Sequence, residues 1–266
     1  MKYLKMNVFV FLFFCIFWSG CNKNKLLSDP VKISFIACGE ADITLIQDRE
    51  YTVLIDTGED TCSDVVIDYL EKNIKSIDLM ILTHPDKDHI GNAQIIMKKW
   101  KVKEVYASNY LKHSELEAEL LNYVSENNIK YTVLENSKDT VLGNLKLSIK
   151  PALKEYDSSN NSSLLTYVTV GKIRVFLGAD IKKKRIEELL SQDIQKFHIV
   201  KLPYHGRFIS NIEELLKKLN PEVVIVTSDQ MDIQTRNLLE ALKIEYAETL
   251  ETIVIELDGV SWKRGV

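Results

Sequence analysis

The chain has 266 residues, 45% hydrophobic, 27% charged and 9% aromatic, the proportions of an ordinary globular protein and not of a disordered or fibrous one. Its formal charge is −4, and loss of a leader holding Lys2, Lys5 and no acid takes a chain beginning at Cys21 to −6, which argues against a nonspecific nucleic-acid coat. Four cysteines without zinc-ribbon spacing exclude a disulfide-dense scaffold, so stability rests on packing.

Residues 1–20 join a basic start to an apolar run, Val8 to Trp18, that is shorter than the roughly 20 residues of a membrane-spanning helix. Such a segment reads as an export signal. Its end, Ser19-Gly20-Cys21, resembles the lipobox of bacterial lipoproteins, although Trp18 stands where an aliphatic residue is usual. That resemblance implies cleavage before Cys21, lipid on that cysteine and an extracytoplasmic protein anchored to a bacterial cell membrane, with an ordinary cleaved signal as the alternative. Residues 21–30 then form a tether, and 31–266 the folded domain.

From residue 31 the runs VKISFIAC, ITLIQD and YTVLIDTG predict a three-stranded meander. Apolar spacing predicts a helix over 61–73, and IDLMILTH at 77–84 reads as a buried strand. A helix at 93–100, a strand at KEVYAS and a helix opened by the Ser114–Glu117 capping box follow. Residues 129–178 are mostly β, with a hairpin around Gly171. The remainder alternates: helix 181–190, strand HIVKLP, helix 211–219, strand EVVIVTS, helix 233–242 and a closing β pair at 252–264. No linker or repeat divides this α/β pattern, which fits sheets packed face to face with helices outside. Cys38 and Cys62 flank one loop, where a disulfide and two buried thiols fit equally.

The chemistry concentrates in THPDKDHIGN, residues 83–92. His84, Asp86, Asp88 and His89 fall within six positions on a loop leaving a buried strand, where they would repel and desolvate one another without a cation. Imidazole plus carboxylate is a ligand set for a divalent metal. Asp180 ends the apolar run Val175-Phe176-Leu177, where an unpaired carboxylate would be costly, and a helix N-cap is its structural alternative. If 197–205 runs as a strand, Lys201 and His205 share one face, and His198 and Tyr204 the other. Lys201 then reads either as a snorkelling surface lysine or as a fixed cation facing an anionic substrate. Asp56 ends another apolar strand, either orienting a metal-bound imidazole or bonding the Thr57 and Gly58 amides. His113 reads as exposed and silent, and His198 as structural.

The stretch at 83–92 resembles the metallo-β-lactamase superfamily signature, and more closely the HPDxDHIGG variant in the metallohydrolase domain of ComEC-type competence proteins. CGEADITLIQ, TVLIDTG, FLGAD, KLPYHG and the terminal IVIELDG are similar, in order, to further motifs of that branch. The resemblance implies a metallo-β-lactamase-like αββα sandwich, with two mixed sheets and helices on the outer faces. It also implies two divalent ions, zinc or manganese: His84 and Asp86 on the first, Asp88 and His89 on the second, Asp180 bridging and His205 completing the pocket. Asn161 or Asn160 lies where other branches place a histidine. Tyr204 replaces one histidine of the usual HHG, so the sequence leaves open which of 204 and 205 is the ligand.

The expected activity is hydrolysis of a phosphodiester or other anionic ester by hydroxide generated at the metals, with Asp88, Lys201 and Tyr204 as candidate catalytic side chains. A small anionic ester or a nucleic acid is the expected substrate. The branch is associated with DNA strand degradation, an analogy of fold rather than of site. Asp86 in place of the motif's second histidine argues against a β-lactam hydrolase. The competing expectation is a surface lipoprotein whose degenerate metal site binds a ligand without turnover.

Overall fold

A computed structural model describes residues 26–265. The export signal, Cys21 and the first half of the tether lie outside the described residues. Among the described residues no helix is long and apolar enough to cross a membrane.

The meander forms as predicted from β1 (Val31–Phe35), β2 (Thr44–Asp48) and β3 (Tyr51–Ile55). α1 (Ser63–Asn73) then crosses to β4 (Leu79–Leu82), parallel to β3. α2 (Lys87–Ile90) and α3 (Ala93–Lys99) lead to β5 (Val105–Ala107), and α4 (Glu115–Glu126) to β6 (Tyr131–Val133), extending the parallel half. β7 (Lys138–Leu142), β8 (Leu145–Lys150), β9 (Leu165–Val170) and β10 (Ile173–Leu177) make an antiparallel ladder. α5 (Lys183–Leu190), β11 (Ile199–Lys201), α6 (Ile212–Leu219), β12 (Val223–Val226), α7 (Ile233–Leu242) and β13 (Glu245–Glu248) continue that second sheet in parallel. β14 (Ile253–Leu257) and β15 (Trp262–Arg264) return to the first sheet beside β1. The eight-stranded sheet runs β15-β14-β1-β2-β3-β4-β5-β6, and the seven-stranded sheet β13-β12-β11-β10-β9-β8-β7.

Three apolar layers hold this αββα sandwich together. Ile33, Ile46, Val53, Val168 and Val175 meet between the sheets, whereas Leu45 and Leu54 point the other way, onto α1 and α3. Adjacent residues therefore enter different cores, which is why these strands read as unbroken apolar runs. On α6, Ile212, Leu215, Leu216 and Leu219 lie at helical spacing and are all buried against the second sheet. Each such burial contributes roughly 1.5–3 kcal/mol.

Differences from the sequence reading have local causes. α5 begins at Lys183 rather than 181, and β11 stops at Lys201 because the next residues fold into a tight turn. The motif segment contains a helical turn, α2, where a loop was expected. β13, EYAE, lacks alternation and owes its strand conformation to pairing with β12. Cys38 and Cys62 are joined in a disulfide, Cα–Cα 5.9 Å, tying the end of the first strand run to the start of α1.

Gly91 follows α2 where three backbone segments converge: an added Cβ would lie 2.6 Å from the Lys87 carbonyl oxygen and 2.8 Å from both the Asp60 nitrogen and the Gly58 oxygen. Backbone atoms cannot swing aside, so Gly91→Ala is expected to lower stability by about 1–3 kcal/mol, the usual cost of overpacking, in a denaturant titration. A midpoint equal to wild type would refute that packing.

Candidate metal centre

The site forms where strands of both sheets end. Asp56, just past β3, has φ 58 and donates its amide to Ile81 O at 2.8 Å. This turns its carboxylate under the motif loop, where Oδ1 accepts the Thr83 amide at 2.8 Å and Oδ2 accepts the Thr83 hydroxyl at 2.7 Å. His89 Nδ1 lies 2.8 Å from the same Oδ2. With its proton on Nδ1, His89 presents a bare Nε2, 3.5 Å from both Asp88 Oδ2 and Asp180 Oδ1. Asn92 locks the loop from behind, donating to the Thr57 and Glu59 carbonyls at 2.9 and 2.8 Å.

The second sheet supplies Asp180 and His205. His205 is not on a strand: Pro203–Gly206 is a turn in which Tyr204 and His205 both take left-handed backbone, φ 54 and 51. Two such residues cost of order 1–3 kcal/mol each, strain typical of functional sites. The turn is pinned by the Tyr204 amide donating to Ala179 O at 3.1 Å, and it brings His205 Nε2 to 3.1 Å from Asp180 Oδ2 and 3.3 Å from Asp88 Oδ2. The strand alternation expected for 197–205 is thereby overturned, and 205 rather than 204 is the member of the pair that reaches the cluster.

Donor atoms of Asp88, His89, Asp180 and His205 all lie within 4.8 Å of one another. His84 Nε2, His89 Nε2 and Asp180 Oδ1 are buried without a hydrogen-bond partner among the described residues. Unsatisfied buried donors and acceptors of this kind are costly, and a divalent cation is the group that imidazole nitrogens and carboxylate oxygens can share. The donor set fits a metal. His84 stacks near His89, ring centroids 3.9 Å apart, with its Nε2 3.6 Å from Asp86 Oδ2, extending the cluster on one side. Asp86 is also held by Lys112 at 2.9 Å.

A family model described as the metallo-β-lactamase superfamily matches residues 37–228. The chain belongs to the metallo-β-lactamase superfamily. Within it, the protein is 26% identical over 223 residues to ComE operon protein 3 of Bacillus subtilis, covering 76% of this chain and 29% of that protein. It is likewise 26% identical over 211 residues to recombination protein 2 of Haemophilus influenzae, covering 77% of this chain and 25% of that one. The chain thus spans only a quarter to a third of the length of these curated relatives. Among solved structures, the metallo-β-lactamase fold protein YhfI from Bacillus subtilis superposes with a TM-score of 0.63 at 14% identity, covering 86% of this chain and 99% of that one.

In this metallo-β-lactamase domain the residues singled out from the sequence divide into those the structure brings together and those it does not. Asp88, His89, Asp180 and His205 converge, with His84 against His89 and Asp86 beside His84 but paired with Lys112. Of the two roles open to Asp56, the structure gives it an imidazole, that of His89, while the Thr57 and Gly58 amides donate to His89 O and Asp42 O instead. Asp180 is not a helix N-cap, since α5 starts at Lys183; instead Asn161 Oδ1 accepts the Lys182 amide at 3.0 Å. Asn161 is therefore engaged in that turn, and its neighbour Asn160 faces the centre, Nδ2 3.3 Å from Asp180 Oδ2. Lys201 neither snorkels nor faces a substrate. It is 2% exposed, its ammonium bonded to the Asp42 carboxylate and, at 3.1 Å, to Ala179 O. The Tyr204 ring lies between Lys182, 4.0 Å from its centroid, and Arg207, 5.3 Å away, at the edge of the site. His198 accepts the Arg174 amide, a structural role.

Asp42 was missed. Its carboxylate takes Lys201 and the Thr227 hydroxyl, and lies 3.5 Å from His205 Nδ1, as Asp56 lies behind His89. The available signal was Asp42, the second of the two carboxylates in CGEAD, directly before the apolar run ITLI.

Burial pushes the His84 imidazole down to about 3, with the neighbouring His89 adding to the effect against the nearby carboxylates. Burial opposes charge on His89 and His205 too, but Asp56 and Asp180 around the first, and Asp180 and Asp42 around the second, hold both well above their usual range. In the metal-free site the carboxylates thus favour protonated imidazole at His89 and His205, whereas burial disfavours it at His84. Zinc binding at pH 7 is expected to release protons, and affinity to rise with pH, because coordination requires bare imidazole. Calorimetry in buffers of different ionisation enthalpy counts them; pH-independent affinity with no proton release would contradict these protonation states.

Proposed function

We propose that this protein is an exported, lipid-anchored, metal-dependent hydrolase acting on a phosphodiester or another anionic ester, either a small molecule or nucleic acid. The observation that carries the hydrolase reading is the convergence of Asp88, His89, Asp180 and His205 within 4.8 Å, with buried nitrogens and oxygens left unpartnered. One ion would be held by these four side chains and a second by His84 and Asp86, with Asp180 between them. A bound divalent ion, zinc or manganese, acidifies water and draws charge from the reacting ester oxygen.

The chain's own residues do the rest. Asp56 fixes the tautomer of His89, and Asp42 stands behind His205. Three carboxylates, Asp86, Asp88 and Asp180, against two divalent ions leave a net positive centre, which favours an ester carrying negative charge at the reacting atom. Asp88, the most exposed of the four clustered side chains, marks the open side. The leader ending at Cys21 supports anchoring, and the Cys38–Cys62 disulfide suits an oxidising compartment.

The second reading, binding without turnover, is favoured by one contact: Lys112 holds the Asp86 carboxylate that a second ion would need. Metal analysis of the full chain in detergent, with bis-p-nitrophenyl phosphate and a neutral p-nitrophenyl ester as substrates and zinc or manganese supplied, separates the two. The expected result is bound metal with faster turnover of the phosphodiester. Bound metal with no turnover of any ester establishes the second reading, and faster turnover of the neutral ester removes the phosphodiesterase assignment. Cys21→Ser is expected to move the protein out of the detergent phase; a wild-type protein that never enters it would end the anchoring proposal.

A further inference from the structure

Beside the metal centre lies a cavity of about 370 Å³ that the reaction described above does not use. His84 and Pro85, from the motif loop, form part of its wall, so the cavity adjoins one of the candidate metal ligands. The remaining wall comes from the ends of β4 to β6, from the end of α2 and from α4, and is largely aliphatic: Leu82, Ile90, Leu120, Leu121 and Val133. Leu111 and Val133 line it while 54% and 45% exposed, which places two apolar side chains at its mouth. Glu117 closes one side, buried and accepting the His113 amide at 2.7 Å.

We propose that this cavity is the subsite for an apolar substituent of the substrate, so that the natural ester is amphiphilic: an anionic reacting group at the metal ligands and a compact, uncharged hydrocarbon or aromatic group beside His84. The inference rests on the anionic-ester reading and names the other end of that ester. The volume falls within the roughly 300–1,000 Å³ of small-molecule pockets, enough for one ring or a short chain. The buried Glu117 carboxylate disfavours a second negative charge there, since two carboxylates in a poorly solvated wall would repel. The site therefore selects by opposed chemistry at its two ends, positive at the metals and apolar beyond His84.

The test is calorimetric binding of methyl-, propyl-, butyl-, benzyl- and 3-carboxypropyl-phosphonate to the zinc-loaded full chain, which reads affinity without needing turnover. From methyl to butyl the affinity is expected to rise by about fourfold per methylene, the factor for a buried CH₂ group. Benzylphosphonate should bind at least as tightly as butyl, and the carboxypropyl compound no better than methyl. Leu121→Trp, which fills the cavity from half-exposed α4, should abolish the chain-length gain, and Leu121→Ala should reduce it. Equal affinity for methyl and butyl overturns the inference even if the protein hydrolyses phosphodiesters. A gain that survives Leu121→Trp overturns it as well, by placing the substituent elsewhere, and so does failure of every phosphonate to bind. A gain in a protein that turns over no ester leaves the subsite standing and removes the hydrolase reading instead.

Discussion

Asp180→Ala and His89→Ala are each expected to cut ester hydrolysis by at least about 10²–10³-fold, the scale of losing one group that stabilises transition-state charge, and to lower bound metal. Asp180 Oδ2 lies 3.1 Å from His205 and Oδ1 3.5 Å from His89, so its removal withdraws the carboxylate that stands between the histidines of both sheets. The carboxyl sits well below its usual range because, against burial, His205 and His89 favour its ionised form. It is thus an anion throughout neutral pH. Asp56→Asn, which disturbs the support of His89 and of the Thr83 end of the motif loop, should lose about 10–100-fold in metal affinity. His113→Ala should change neither quantity. Full activity in Asp180→Ala with unchanged metal content would show that the ligand assignment is wrong.

Much of the candidate site was legible because its crowding calls for a cation: His84, Asp86, Asp88 and His89 fall within six positions after an apolar strand. The strands were legible where both faces are covered, since Leu45 and Ile46 each need an apolar partner in a different layer. What could not be read depended on residues far apart in sequence. Lys201 gains its meaning from Asp42, 159 positions away, and no local pattern distinguishes a lysine with a buried counter-ion from one that snorkels. In the turn at 203–206 Gly206 takes left-handed backbone as glycine readily does, but so do Tyr204 and His205, which disfavour it, so Pro203 and Gly206 marked a turn without showing that the strand ends at Lys201. Which of two adjacent asparagines faces Asp180 depends on a three-residue helical turn at Asn160–Ser162 that composition does not specify.

Asp42→Ala is expected to be the most destabilising single substitution near the site, by about 3–5 kcal/mol, because it strands a buried ammonium. Lys201 and Asp42 are 2% and 5% exposed, and the Thr227 hydroxyl would lose its acceptor as well. Replacing both charges, Asp42→Leu with Lys201→Met, should cost less than the sum of the single changes, since neither charge is then left alone. The pH dependence follows from the carboxyl: burial raises it, but Lys201 and His205 together hold it below its ordinary value of 3.8. A depressed folded-state value means stability that is complete above that ordinary value and is lost only as the pH falls towards the lower one. Wild type should therefore keep this contribution at pH 5, and Asp42→Ala should unfold at lower denaturant there and at pH 7 alike. Additive losses in the double variant would refute the pairing.

Because the loops of one sheet bring His84, Asp88 and His89 and those of the other bring Asp180 and His205, an ion at this centre is also a fastener between two halves of the polypeptide. Unfolding must release it, so the concentration of free metal enters the folding equilibrium by mass action. At a hundredfold excess over its dissociation constant, an ion that binds only the folded form adds about 2.7 kcal/mol, comparable to burying one large aliphatic side chain. Chelation of such an ion is then expected to lower the melting temperature, which becomes a gauge of metal supply.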